Sequence, residues 1–129
     1  MERDEIFEKV RGVVIEALSL DDDDEVNPES TLFGDLGAES IDMLDIKFQL
    51  EQAFGFQIAD GEIFPEGVTK NPEYVEGGKV TEKGLAELRE RAPHIDVSSM
   101  EDDPRIERIR EVFTVNALVS FVENKLAAA

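Results

Sequence analysis

A chain of 129 residues with 13 basic and 31 acidic side chains carries a formal charge of -18 and has material for one hydrophobic core but hardly for a second. That charge excludes nucleic-acid backbones and anionic membrane surfaces as partners and points to basic ones. Cysteine is absent, which removes disulfides, thiolate metal sites and a thiol nucleophile, so any thiol chemistry must come from an attached group. No stretch approaches the roughly 20 apolar residues that span a bilayer, and Met1-Glu2-Arg3-Asp4-Glu5 lacks a basic region ahead of an apolar run. The expectation is a cytoplasmic protein with no stable membrane insertion.

Ile6, Val10, Val13, Val14 and Ala17 recur at helical spacing, with Glu5, Glu8, Lys9, Arg11 and Glu16 largely on the other side, so residues 4–18 are predicted as an amphipathic helix. Residues 21–25 are five consecutive acids, whose mutual repulsion stops it. A long loop follows, punctuated by Asn27-Pro28, Gly34 and Gly37, with Leu32, Phe33 and Leu36 expected to tuck into the core.

Residues 40–54 contain no Gly or Pro and are predicted as a second helix, about 22 Å long at 1.5 Å per residue, with Gly55 as its stop. It has two apolar faces. Met43, Ile46, Leu50, Ala53 and Phe54 cluster on one side, and Ile41, Leu44 and Phe48 nearly opposite. One face serves the core; the second either lines the core from another angle or is a surface that other molecules use. Residues 19–60 also hold 12 acidic residues against one base, Lys47, whereas residues 61–129 hold 14 acidic and 9 basic.

Residues 56–80 are rich in Gly and Pro and are predicted to be irregular, with short extended pieces at 73–76 and 79–81. Thr81 is expected to cap a helix over 82–91 with Leu85 and Leu88 inward, weakened by Gly84 and ended near Pro93. Asp103-Pro104 reads as an N-cap and first helical residue, with Ile106 and Ile109 buried. The final helix is predicted from Thr114, burying Val115, Leu118, Val119, Val122 and Leu126, with residues 127–129 frayed.

A serine at the start of the second helix sits where free backbone N–H groups and the positive end of the helix dipole can receive a phosphodiester. By position alone the far commoner role is a plain N-cap, contributing about 1 kcal/mol. Catalysis by Ser40 is not indicated: the single histidine, His94, lies beside Pro93 in a turn-rich segment where a solvated loop residue is expected, and no constellation of base, nucleophile and orienting group is visible. A calcium site at residues 21–25 lacks alternating ligands, a central Gly and a terminal Glu.

The run Leu36-Gly37-Ala38-Glu39-Ser40-Ile41-Asp42-Met43-Leu44, followed by Phe48, Leu50-Glu51 and Phe54-Gly55-Phe56, resembles the acyl carrier protein family. The similarity covers about residues 3–60 and again 112–126, where Phe113-Thr114-Val115, Leu118 and Phe121-Val122 look like the family's last helix. The resemblance implies an all-α, antiparallel four-helix bundle that forms a single, monomeric carrier domain of residues 1–129 without catalysis of its own. It implies that Ser40 receives 4'-phosphopantetheine from coenzyme A, through a phosphopantetheinyl transferase, and carries acyl groups as thioesters. Partner enzymes with basic docking patches, in fatty acid, lipid or polyketide-type biosynthesis, would then meet Glu39, Ile41, Asp42, Leu44, Asp45, Phe48 and Glu51, and the acyl chain would lie among Met43, Ile46 and Leu50.

Four departures accompany the resemblance, three substitutions and an insertion. Glu39 stands for the usual aspartate, Ile41 for leucine, and Lys47 for an apolar residue. Residues 61–111 form a partly irregular insertion where such proteins have a short loop and a small helix; a segment this long usually has a reason. An unmodified adaptor with a carrier fold is the alternative, in which the second apolar face is kept and Ser40 is replaceable.

Overall fold

In the computed structural model the description covers residues 2–21, 26–59, 62–63 and 66–128, with the backbone alone for Ser40, Glu66 and Thr69. Of the acidic run, residues 22–25 lie outside it, as do Gly61, Pro65 and Ala129. The chain is a helical bundle with one small two-stranded sheet. In order it forms α1 (Arg3–Ala17), α2 (Ser40–Phe54), the short α3 (Glu66–Lys70), β1 (Val75–Glu76), β2 (Lys79–Val80), α4 (Glu82–Arg91), 3-10 turns at Ser98–Met100 and Ile106–Arg110, and α5 (Val115–Ala128).

Helix α1 is the hub, packing against both α2 and α5. Its Ile6, Val10, Val13 and Val14 meet Ile46 and Leu50 of α2 and Val115, Leu118, Val119 and Val122 of α5 in one continuous core. Each such side chain contributes about 1.5–3 kcal/mol on burial, before the entropy of ordering it. Arg3 clamps the start of α1 to α5, donating to Glu123 at 3.0 Å, Asn116 at 2.5 Å and Ser120 at 3.0 Å.

The loop between α1 and α2 is held by backbone pairing with the start of α5. Leu32 N donates to Phe113 O at 3.1 Å, Val115 N to Ser30 O at 2.9 Å and Asn116 N to Pro28 O at 2.9 Å. Leu32 is fully buried, while Phe33 and Leu36 are half-buried against the core.

Between α2 and α5, α3, the β1–β2 hairpin and α4 pack on one another through Val68, Tyr74, Val80, Leu85 and Leu88. The expected extended pieces form this hairpin, with Val75 opposite Val80 around a Gly77-Gly78 turn. Thr81 caps α4 as expected, its hydroxyl accepting from Gly84 N at 3.0 Å. Gly84, which the sequence suggests only as a weak point in the helix, is a packing requirement: a Cβ there would sit 2.4 Å from Tyr74 O and 2.6 Å from Val80 Cγ1.

Four expectations are corrected. Asp103-Pro104 does not open a helix; Pro104 O accepts from Val80 N at 2.7 Å and Ile106 N donates to Gly78 O at 3.0 Å, so this stretch runs along the hairpin and the 3-10 turn begins at Ile106. Proline lacks an N–H but its carbonyl serves a sheet edge. Helix α5 continues to Ala128, so residues 127–128 do not fray, and Leu126 is half-buried. Ala53 is exposed because it lies at the edge of the inward arc of α2. The 3-10 turn at Ser98–Met100, which buries Met100, has no periodic signal in so short a run.

Candidate functional site

The start of α2 is built by four consecutive residues. Gly37 adopts φ +70°, a conformation side-chain-bearing residues rarely take, and turns the chain toward the helix. Ala38 is buried and anchored, its N–H donating to Leu32 O at 2.8 Å. Glu39 is extended, at φ -112° and ψ 168°, and is the N-cap. Ser40 therefore occupies the first helical position and is not the cap, which corrects the simplest structural role its position suggests. The Asp42 carboxylate accepts from Glu39 N–H at 2.8 Å and so fixes the helix start from inside its first turn. An acid three residues after Glu39 was the sequence signal for this arrangement.

From there an apolar stripe runs outward along α2. Ile41 is 71% exposed, Leu44 53% and Phe48 56%, and these are the exposed large hydrophobics among the described residues. They sit at i, i+3 and i+7, one side of the helix. The two alternatives for the second apolar face thus resolve to a surface. Asp45 lies beside it and accepts from Gln49 Nε2 at 3.3 Å. Glu39 is exposed and Asp42 half-exposed at the same end.

A family model described as the phosphopantetheine attachment site matches residues 8–67, the stretch that contains α1, the anchored loop and α2. Over these residues the chain is similar to the phosphopantetheine-carrying domains of acyl carrier proteins. The family binds 4'-phosphopantetheine, and its domains are generally non-catalytic carriers that meet phosphopantetheinyl transferases and acyl-handling enzymes. The residues at the start of α2 suit that group. The helix begins between the exposed residues Glu39 and Ile41, the Asp42 amide is bonded to Glu39 O at 3.0 Å, and no atom of the described residues lies within 4 Å of the Cβ position of Gly37.

The other candidate residues divide between surface and core. Ile46 and Leu50 are fully buried and Met43 is half-buried against the same core. Two open clefts of about 420 and 470 Å³ lie elsewhere, sharing His94, Asp96 and Asn116 between the 93–99 segment and α5, and a smaller one of about 240 Å³ lies between His94, Phe121 and Lys125. Glu51 is half-buried, and its carboxylate accepts from Ile58 N–H at 2.8 Å, tying the strand of chain after α2 back onto the helix. Helix α2 ends where expected, at Gly55 in the left-handed conformation, with Gly55 N donating to Glu51 O at 2.9 Å.

His94 is not the solvated loop residue the sequence suggests. It is 8% exposed, its Nε2–H donates to Ile63 O at 2.6 Å, and its ring stands edge-on to Phe121 at 5.0 Å. Burial pushes its pKa below the ordinary histidine value, outweighing the Ile63 hydrogen bond and the nearby Glu62 carboxylate, which favour the charged ring. Beside it Lys125 pairs with Glu62 at 2.5 Å. Burial alone would raise the Glu62 carboxyl, but the Lys125 bond and the Ala59 N–H hold it below its usual range. His94 is thus a bolt between the segment after α4 and α5, a role that burial alone reveals. Among the described residues no cluster of three or more His, Cys, Asp or Glu is placed to hold a metal ion, and no helix is long and apolar enough to cross a membrane.

Proposed function

We propose that this carrier bears its 4'-phosphopantetheine on Ser40 and presents acyl groups to enzymes that dock on the outward face of α2. The observation that carries the reading is the exposed Ile41, Leu44 and Phe48 stripe, which starts one residue after Ser40 inside the stretch matched by the phosphopantetheine attachment family. When attached, the group supplies the thiol that a cysteine-free chain lacks and holds the acyl group as a thioester. The chain's own contribution is placement. The α2 start offers backbone amides and the positive end of a helix dipole to a phosphodiester, and the Glu39–Asp42 bond fixes where that start lies.

Around this site Ile41, Leu44 and Phe48 form the apolar centre of a docking surface, and Glu39, Asp42, Asp45 and Glu51 supply its negative field. The acyl chain is held toward the inner side of α2, among Met43, Ile46 and Leu50. We take residues 1–129 as one monomeric, cytoplasmic carrier domain, with a core of 3–60 and 112–126 and an insertion of about 61–111. Its pathway is fatty acid, lipid or polyketide-type biosynthesis.

The test is loading. The protein is incubated with coenzyme A and a broad-specificity phosphopantetheinyl transferase, and its intact mass and peptide map are measured. The expected result is one phosphopantetheine on Ser40, none on Ser40→Ala, and an unchanged circular dichroism spectrum for that variant. Loading of Ser40→Ala would move the site elsewhere. No loading of the natural chain, under conditions that load a control carrier, would leave an unmodified protein-binding adaptor.

A further inference from the structure

The end of the insertion brings a base toward the acidic start of α2. Residues 31–42 hold Asp35, Glu39 and Asp42 and no base. Leu32 joins this stretch to the insertion: its N–H donates to Phe113 O at 3.1 Å, and its carbonyl accepts from Ala38 N–H at 2.8 Å. Ser40 follows Ala38 by two residues and Arg110 precedes Phe113 by three, so the backbone of each lies within about 7–11 Å of that common anchor, at roughly 3.6 Å per residue. Arg110 is exposed, and its guanidinium carbon stands 5.0 Å from the centre of the Phe33 ring, which in turn packs on Phe113 at 5.9 Å. Its neighbours are neutralised: Arg105 donates to Asp103 at 2.8 Å and Arg108 to Glu111 at 2.8 Å. Arg110 itself meets no carboxylate among the described residues. A cation over a ring uses none of its N–H donors, so those of Arg110 remain for an acceptor.

We infer that Arg110 is a positioning residue for the arm: its guanidinium takes the phosphodiester of the group on Ser40 and holds the arm on the Phe33 side of the α2 start. The inference rests on the reading of Ser40 as the attachment site. Its physical basis is charge. A phosphodiester at the start of α2 adds a negative group to a stretch that already carries Asp35, Glu39 and Asp42. A guanidinium–phosphate pair is a charge-assisted contact, and Arg presents a planar fork of donors that fits it. The contact with Phe33 sets where that fork stands before the group arrives, so less side-chain freedom is lost on pairing. The segment 61–111 thereby gains a function at the site: it carries to the α2 start the cation that residues 31–42 lack.

The experiment follows the full-length chain by nitrogen and phosphorus NMR before and after loading with coenzyme A and a broad-specificity phosphopantetheinyl transferase. The natural sequence is compared with Arg110→Gln, Arg110→Lys and, as a control for net charge, Lys83→Gln on α4. Loading is expected to shift the Arg110 Nε–H resonance and to leave that of Arg105 in place. In the loaded Arg110→Gln chain the transverse relaxation rate of the phosphodiester is expected to fall by about a third, the change from a rigid to a flexible group. Arg110→Lys, which keeps the charge, should retain most of the natural rate and Lys83→Gln all of it. The difference between the natural chain and Arg110→Gln should shrink at high salt. An Arg110 resonance unmoved by loading, or equal phosphorus relaxation in the natural and Arg110→Gln chains, would overturn the inference while leaving Ser40 as the attachment site. So would an Arg110→Lys chain as loose as Arg110→Gln, since charge would then not be the cause. No loading of the natural chain beside a loaded control carrier would remove the Ser40 reading and this inference together.

Discussion

Leu50 and Phe48 stand two residues apart in α2; Leu50 is fully buried and Phe48 is 56% exposed. The same holds along the helix, where Ile46 is sealed inside and Ile41 is 71% exposed. Hydrophobicity alone therefore does not assign burial. The inward side faces α1, which supplies a complementary apolar surface, and the outward side meets no such surface from the described residues. A row of large apolar groups is rarely left outside unless something binds there. The acidic residues around it deter indiscriminate association.

The largest test of the contrast is Leu50→Ala, which opens a cavity in the core and is expected to cost about 2–5 kcal/mol, read as a lower urea midpoint at unchanged m-value. Phe48→Ala should do the reverse. Its stability is expected to stay within about 0.5 kcal/mol of the natural chain while kcat/KM for loading by the transferase falls by roughly tenfold, the loss typical of an apolar anchor at an interface. A destabilised Phe48→Ala with normal loading would make the stripe a structural face and break the comparison.

The smallest effect concerns a polar group treated as core. His94 is held neutral by burial, so the unfolded chain binds more protons than the folded one once pH falls below the ordinary histidine value of 6.5. Stability should decline from about pH 6.5 downward and level off beneath the depressed folded value. Glu62 acts in a lower window, stabilising above its unfolded value of 4.5 and losing that contribution as pH falls through its lowered folded value. Urea midpoints from pH 7.5 to 5.5, where His94→Gln should flatten the slope, separate the two groups. An unchanged slope in that variant would place the titration elsewhere.

Much of the site was legible because its determinants are local. The absence of Gly and Pro over residues 40–54 and the stop at Gly55 set the limits of α2, and the spacing of Ile41, Leu44 and Phe48 placed them on one side. The serine at the helix start and its flanking acids lie in one short run. Less legible were the roles that depend on which atoms meet. Glu39 became the cap because Asp42 reaches back to its N–H, and Glu51 became a tie because the chain after Gly55 returns to it. Both acids look the same in sequence as Asp45, which remains on the surface.

The segment between α2 and α5 divides in the same way. Thr81 and the periodicity of Leu85 and Leu88 predicted α4, since capping and helical spacing are encoded within a few residues. Asp103-Pro104 had the local chemistry of a helix start, yet pairing with Val80 and the adjoining hairpin took precedence. His94 had the neighbours of a solvated turn but is packed against Phe121 and bonded to Ile63.

The sequence by itself determined the helices, their two-sided apolar pattern, the negative field and the family resemblance centred on Ser40, because each is written in spacing and composition. Only the tertiary structure decided which apolar side of α2 faces outward, which acids turn back to their own chain and that the lone histidine is core. Those outcomes depend on surfaces brought together from distant parts of the chain, and burial is a property of the pair that meets rather than of either residue alone.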